Sequence, residues 1–477
     1  MASRSFIAQL IVASILLAAA SAVARAEETA PKRLRAGIIG LDTSHVVAFT
    51  KIFNEPGAFG DIAGVRIVAA FLGGSPDIAE SRDRVEGFTK QVKAMNVEIV
   101  DSIPTLLQKV DVVLLESVDG RPHLDQVRPV LEAGKPVFID KPLAGSLVDA
   151  IAIAELAKKH NVPWFSSSSL RFGPAIAKTK ADPKLGDIVG CDAWGPCRLE
   201  PHHPDLYWYG IHGCELLYTY MGTGCAEVSR SQTEGTDLVV GIWKDGRIGT
   251  FRGIRQGKQD YGAMLFGTKG VVLAPGNEGY KPLVEQIAHF FKTRQPPVTA
   301  EETIELMTFM EAADESKRQG GKPVKLETVL KKAQEQARSK LTDASRAEGV
   351  HIAGGHGFHD ISSRLYGVEA SVLGVQKNGA NLESLSIKVI RPLDTAVGYR
   401  PLDRPGMVAA VYFDEPSSNF DGLQLETGSV VKVFFCYLDS SNGRWASNSA
   451  WIAFRRDGKF YDVRGRQASE ESLFPRP

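Results

Sequence analysis

The sequence predicts three folded parts in series: an α/β N-terminal domain with a parallel sheet, an α+β second domain with an open, mostly antiparallel sheet, and a C-terminal all-β domain. Three observations carry this. Between residues 34 and 163, short and near-continuously apolar runs alternate with helical stretches, the pattern of strands covered on both faces. Between 164 and 325, hairpin-like strands come first and a pair of helices follows. Beyond 348, period-two strands alternate with turn clusters.

In the first domain, Leu34 to Ile39 reads as a buried strand that ends at Gly40, and His45 to Phe53 as the helix after it. Val65 to Phe71 is a second strand, closed by Gly73-Gly74-Ser75-Pro76, and a helix is predicted over Ile78 to Ala94. Further strands fall at Glu98 to Val100, Asp111 to Glu116 and Pro136 to Ile139. Helices are predicted over Ile103 to Lys109, His123 to Ala133 and Val148 to His160. In the second domain, Val239 to Trp243 and Ile248 to Arg252 form a hairpin turned at Lys244-Asp245-Gly246. Gly262 to Phe266 and Gly270 to Leu273 are further strands, and the helices span Lys281 to Thr293 and Ala300 to Gln319. Leu326 to Ala347 is a polar linker helix. The last domain has strands at Ser384 to Ile390, Met407 to Phe413, Val430 to Tyr437 and Ala450 to Arg455, read as a small sandwich.

The N-terminus reads as a signal peptide. Arg4 supplies a positive start, Phe6 to Ala20 is an apolar run too short to span a bilayer comfortably, and Ala24-Arg25-Ala26 places cleavage after Ala26. With no twin-arginine pair, the general secretory route is expected, which ends in the periplasm or outside the cell. A chain that crosses unfolded must find any cofactor after export. The 56 basic and 56 acidic residues cancel, so nothing points to a nucleic-acid surface. Five cysteines make no disulfide scaffold. Cys191 with Cys197, or Cys214 with Cys225, can pair in an oxidising compartment, and buried thiols are the default.

A strand that ends in glycine and turns into a helix is the entry to a Rossmann-type dinucleotide site. Its three glycine positions fall on Gly40, Asp42 and His45, so only the first is kept. Asp42 puts a negative side chain where backbone approaches a pyrophosphate, and at ~4 Å two like charges repel by about 1 to 4 kcal/mol. The helix start still offers N–H groups to an anion, with Thr43 or Ser44 as its cap. No acid ends the second strand to hold a ribose. Asp77 lies further along, and Ser75 with Arg82 would suit a 2′-phosphate instead.

Three later stretches, with the helix pair ending at Lys322-Pro323-Val324, resemble the Gfo/Idh/MocA oxidoreductases over roughly Leu34 to Leu326. They are His123 with Leu131-Glu132-Ala133-Gly134-Lys135-Pro136 and Ile139-Asp140-Lys141-Pro142-Leu143-Ala144; then Arg171-Phe172-Gly173-Pro174; then Gly210-Ile211-His212-Gly213-Cys214-Glu215 with Gly222 after it. The resemblance implies an NAD or NADP cofactor held by Gly40, Asp42, Thr43, Ser44, His45, Ser117, His123 and Lys141. It implies a small sugar substrate, and catalysis by Lys141, His212 and Glu215. In the family the lysine and the histidine polarise or deprotonate a sugar hydroxyl while hydride goes to nicotinamide, and both residue types handle protons near neutral pH. It further implies a homo-oligomer joined through the open face of the second-domain sheet. Two departures stand out: Asp140 replaces the family's glutamate, and the family's catalytic aspartate falls on Trp208, which cannot titrate.

Around these positions, Arg171, Tyr207, Trp208 and Tyr209 are candidates for substrate binding, because flat aromatic faces stack on sugar rings. Glu215 lies one helical turn after His212 and can simply orient it. His203, His212 and Glu215 offer a rival metal-ligand set for a lyase or hydrolase without external nicotinamide, though no motif fixes their spacing. His351, His356, His359 and Asp360 make a second histidine group. A glycosidase that retains its NAD, and a non-catalytic carbohydrate-binding protein, are the other readings, since fold alone does not choose among them.

Overall fold

The computed structural model describes residues 33–348 except 277, and in the last domain residues 366–378, 381–392, 408–413, 429–439, 444–447, 452–456 and 459–462. The signal peptide expected over residues 1–26 and the second histidine group lie outside the described residues.

Six parallel strands form the first sheet: β1 Leu34–Ile39, β2 Val65–Phe71, β3 Glu98–Val100, β4 Val112–Leu115, β5 Val137–Ile139 and β6 Trp164–Ser166. Their order is β3-β2-β1-β4-β5-β6, that of a doubly wound dinucleotide-binding sheet. Every residue of β4 and β5 is buried, which is why these strands read as unbroken apolar runs. Helix α1, Ser44–Phe53, follows β1, and α2, Val85–Ala94, follows β2. The single helix expected over Ile78 to Ala94 is broken: Ala79–Arg82 forms one turn, and the chain restarts at Val85. Helices α3 Ile103–Lys109, α4 His123–Glu132 and α5 Leu147–His160 complete the alternation. α5 is capped by the Ser146 hydroxyl and ends on Asn161 in the left-handed region.

The second sheet has the order β12-β11-β7-β10-β9-β8-β13. Its strands are β7 Ile188–Pro196, β8 Cys225–Gln232, β9 Thr236–Trp243, β10 Ile248–Ile254, β11 Gly262–Gly267, β12 Val271–Pro275 and the short β13 Val324–Lys325. Only β7 and β10 run parallel, so the sheet is mostly antiparallel as expected. One face carries α7, Ile211–Met221, which packs on β7 and β10. A Cβ on Gly213 would lie 2.2 Å from the Phe251 ring, so glycine lets the helix seat there. Helix α6, Pro174–Lys180, lies ahead of β7. α8, Lys281–Thr293, and α9, Ala300–Arg318, lie beyond β12. α8 returns to the first sheet, where Leu283, Ile287 and Phe290 join one core with Ile38, Leu114, Phe138 and Phe165. α10, Leu326–Glu348, follows.

The last domain differs from the expected sandwich. Its strands are β14 Tyr366–Asn378, β15 Asn381–Pro392, β16 Val408–Phe413, β17 Val430–Asp439, β18 Arg444–Ser447, β19 Ile452–Arg456 and β20 Lys459–Asp462. β14 pairs with both β15 and β17, and the run β14-β15-β16-β18-β17 therefore closes on itself. Closure removes sheet edges, which two stacked open sheets would leave exposed. Cys191, Cys197, Cys214 and Cys225 are buried free thiols, so neither of the pairings considered from the sequence forms. Among the described residues, no helix is long and apolar enough to cross a membrane.

Candidate active site

The candidate site lies at the carboxyl ends of β1, β4 and β5, where the strand order reverses between β1 and β4. Gly40 has φ +91°, and a Cβ there would meet the Ser117 hydroxyl at 2.3 Å. No other residue type fits. Asp42 does not point into the site as a free charge. It is fully buried; its carboxylate accepts from the Val118 N–H at 2.9 Å and from the Ser81 hydroxyl at 2.6 Å. Burial pushes its pKa up to about 6 against those hydrogen bonds. The start of α1 carries no acidic side chain, and the Thr43 hydroxyl accepts from the His45 N–H.

His45, in place of the last glycine, directs Nδ1 to Asp140 Oδ2 at 2.7 Å, and its ring stacks on Phe49 with Tyr280 edge-on. Burial alone would raise Asp140, but the charge and hydrogen bond of His45, with Lys141 beside it, hold it below the usual carboxylate range. Lys141 follows at once, itself buried, in the loop after β5.

The chain enters α7 through a five-residue π-turn, Leu206–Gly210, which sets His212 in the first turn of that helix. Burial, then the positive charges of Lys141 and His45, push His212 well below the ordinary imidazole value, so it is neutral near neutral pH. Lys141 and His45 are thus close enough for their charges to act on His212. Ser168 Oγ sits 2.7 Å from His212 Nδ1. Tyr209 and Tyr261 stand edge-on to the His212 ring at 6.1 and 5.8 Å. Tyr261 is not among the sequence candidates, since its position some fifty residues along the chain gives no signal.

Several of the candidate side chains have partners within the chain. Glu215 is not a free acid. It accepts from the Ser167 hydroxyl at 2.5 Å, the Ser168 N–H at 2.7 Å and Arg171 Nε at 2.9 Å, which makes it the anchor of the Ser168 turn that holds His212. Arg171 is spent on Glu215 and Glu302, so it does not present its guanidinium to a substrate. Tyr207 is fully buried against α9, and Trp208 packs with Ile78 and Val118; of the three aromatics only Tyr209 flanks the site. His123 is buried with its nitrogens on the Leu143 and Ser117 carbonyls, and the Ser117 hydroxyl donates to Gln126, so both are structural. His203 lies 3.1 Å from Asp119 and bonds Glu200, well apart in partners from His212 and Glu215. Among the described residues, no group of three His, Cys, Asp or Glu side chains converges to hold a metal. Asp77, considered for a ribose, pairs with Arg121; Ser75 bonds Asp119; Arg82 turns to Asp83. The segment before α7 is thereby tied to the first domain, with Arg198 also on Glu80 at 3.1 Å.

Comparison with known proteins agrees with this geometry. Residues 57–167 match the Gfo/Idh/MocA family model, described as an oxidoreductase family with an NAD-binding Rossmann fold. That segment, under a quarter of the chain, is similar to the Gfo/Idh/MocA oxidoreductases. The match begins after the Gly40 turn, the stretch where Asp42 and His45 depart from the glycine fingerprint. Among curated proteins, dehydrogenase aclE of Aspergillus oryzae is 28% identical over 159 residues, covering 33% of this chain and 42% of that one. The chain thus spans about two fifths of that relative's length. Among solved structures, scyllo-inositol dehydrogenase of Lactobacillus casei, with bound NAD(H) and scyllo-inositol, superposes with TM-score 0.52 at 16% identity. It covers 62% of this chain and 99% of that one. Myo-inositol 2-dehydrogenase of Lactobacillus plantarum gives TM-score 0.51 at 17% identity, with the same coverage. At such identities the likeness is one of fold.

For a dinucleotide the residues present offer the remaining N–H groups of the first turn of α1, with Gly40 required by its φ and by the close Ser117 backbone. Asp42 is the one member that works against it.

Proposed function

We propose that this protein is an exported Gfo/Idh/MocA-type NAD(P)-dependent oxidoreductase of a sugar or cyclic polyol, with Lys141 and His212 handling the hydroxyl proton. One observation carries the reading: an imidazole kept neutral by burial and by a buried lysine's charge, with two tyrosine rings edge-on to it, in a chain whose first sheet has the dinucleotide-binding strand order. Gly40, the first turn of α1 and Lys141 would hold the dinucleotide, which supplies the hydride acceptor when bound.

The chain's own residues supply the rest. Tyr261 offers an apolar face and a polar edge suited to a sugar ring, and Tyr209 its remaining face, the other being covered by the Arg198 guanidinium at 4.3 Å. Lys141 polarises the reacting hydroxyl, and neutral His212 can share its proton. The Ser168 hydroxyl fixes the imidazole, and Glu215 with Arg171 fixes Ser168. The apolar start followed by Ala24-Arg25-Ala26 supports export to the periplasm or beyond. A homo-oligomer is part of the proposal, because Ile242, Ile248, Phe266 and Val271 lie exposed on facing strands of the second sheet.

The test is mass spectrometry of the native protein for retained NAD or NADP, followed by oxidation assays with each cofactor on inositols and hexoses. Turnover that falls roughly a hundredfold or more in Lys141→Met and His212→Asn supports the reading. No turnover of any polyol with either cofactor overturns it.

A further inference from the structure

By its place in the sequence, His45 is only a residue near the cofactor. Its surroundings say more. Its Nδ1 lies 2.7 Å from a carboxylate that is itself 1% exposed, while the His45 side chain keeps 12% of its surface open. The aromatic rings of Phe49 and Tyr280 fix its plane. An imidazole oriented by a buried carboxylate on one nitrogen, with part of its surface open, is the arrangement that makes histidine a proton acceptor.

A second buried acid stands behind the pair. Asp140 is the first residue after β5, and Glu116 the first after β4; Leu115 and Ile139 are register partners, so the two acids stand side by side. Both Glu116 oxygens and Asp140 Oδ1 are buried with no hydrogen-bond partner. Two carboxylates side by side away from water do not both ionise. The imidazole belongs to Asp140, so the charge settles there and the proton on Glu116. Burial, and then the charge of Asp140, push Glu116 far above the carboxylate range, in keeping with this division.

Resting on the oxidoreductase reading, we propose that His45, oriented by Asp140, is a further catalytic proton acceptor of this site, with Glu116 as the neutral acid that keeps the Asp140 charge alone. In polyol oxidation the substrate O–H bond, polarised by Lys141 and hydrogen-bonded to His212, breaks, and the N–H bond that finally holds the proton forms on His45 Nε2. A bound nicotinamide would take the carbon's hydride with its electron pair as the C=O bond forms, and Asp140 would balance the imidazolium until solvent takes the proton. Asp140 and Glu116 are positioning residues.

The test begins without turnover. In full-length protein with ¹⁵N-labelled histidine, the resonance absent from His45→Gln is His45. It is expected as the Nδ1-protonated tautomer, and Asp140→Asn should remove that preference; the opposite tautomer in the wild type overturns the dyad. Kinetics follow. His45→Gly restores the family's glycine and leaves an imidazole-sized gap. It should lose roughly a hundredfold or more in kcat with KM for polyol and retained dinucleotide little changed, and added imidazole should recover activity. A wild type that turns over while His45→Gly keeps its kcat overturns the proton-acceptor role alone. A wild type inactive on every polyol overturns the oxidoreductase reading, and the role with it, even where the tautomer is as expected.

Discussion

Replacing Asp42 by asparagine should change both stability and cofactor affinity, and the two effects have different pH signatures. Asp42 is fully buried and titrates at about 6 in the folded chain, against 3.8 for the free side chain. Because the folded value is raised, the protonated form is the one folding favours. Its stability contribution is full below about pH 4 and is lost as pH rises through about 6. The gap of two pH units and a little more corresponds to about 3 kcal/mol. An asparagine at this position keeps an oxygen for the Val118 N–H and offers an N–H to Ser81 Oγ, without a charge to desolvate. Calorimetry of wild type and Asp42→Asn across roughly pH 4 to pH 7.5 should show the variant gaining on the wild type by about 3 kcal/mol. That is ~5 °C in the transition of the unit that holds residue 42. Removing the charge should also tighten NAD by about tenfold near neutral pH, the worth of ~1.4 kcal/mol of repulsion. A stability difference that stays constant over this pH range refutes the buried, raised carboxyl; unchanged NAD affinity refutes its repulsion of the pyrophosphate.

Three further perturbations test other parts of the structure. Glu215→Ala strips Arg171 of a buried partner, 4% and 10% exposed respectively, and should cost about 3 to 5 kcal/mol in urea unfolding, whereas Glu215→Gln should fold and retain most turnover; a Gln variant as inactive as His212→Asn would return Glu215 to the chemistry. Cys191, Cys197, Cys214 and Cys225 should resist thiol reagents in the native protein and react fully in guanidinium without added reductant; a need for reductant would reveal a disulfide. If the proposed homo-oligomer forms through the second sheet, Ile248→Asp with Phe266→Asp, both exposed there, should reduce its mass to that of a monomer by light scattering; an unchanged oligomeric mass would place the interface elsewhere, and a monomeric wild type would overturn the proposal.

The first sheet was legible because both its faces are covered. A strand such as Val112–Leu115, with every residue buried, has no polar alternation to confuse it. Strands β7 and β8 escaped notice for the opposite reason. Ile188–Pro196 mixes glycine, aspartate and proline, since one of its faces is open, and its pattern carries little signal on its own. The second helix broke at Asp83 and Arg84 because the turn before it is held by tertiary partners, Ser81 to Asp42 and Glu80 to Arg198, that lie far off in sequence. In the site, Lys141 and His212 were visible as motif members. What the motif could not show was which neighbours were already spent. Arg171 finds Glu302 across 131 positions, and Tyr207 finds Met307 across 100, so neither residue type announces its burial.

The replaced glycines then make sense as parts of one rearrangement rather than as decay of a fingerprint. Asp42 turns inward and ties Val118 to Ser81, which joins the loops after β1, β2 and β4. Those loops continue through Ser75 and Asp119 to His203 and Arg121, so the segment leading into α7 is fastened to the first domain by side chains that a glycine turn does not have. His45 ties the same turn to Asp140, the residue before Lys141. Both residues therefore brace the turn after β1 and the loop that carries Lys141. On the proposed function, a site assembled this way depends less on the dinucleotide to order Lys141 and His212. It follows that Lys141 and His212 should be as well ordered without NAD as with it. Hydrogen exchange of the Lys141 and α7 amides is the measurement: protection that rises only when NAD is added would show that the cofactor, and not Asp42 and His45, builds the site.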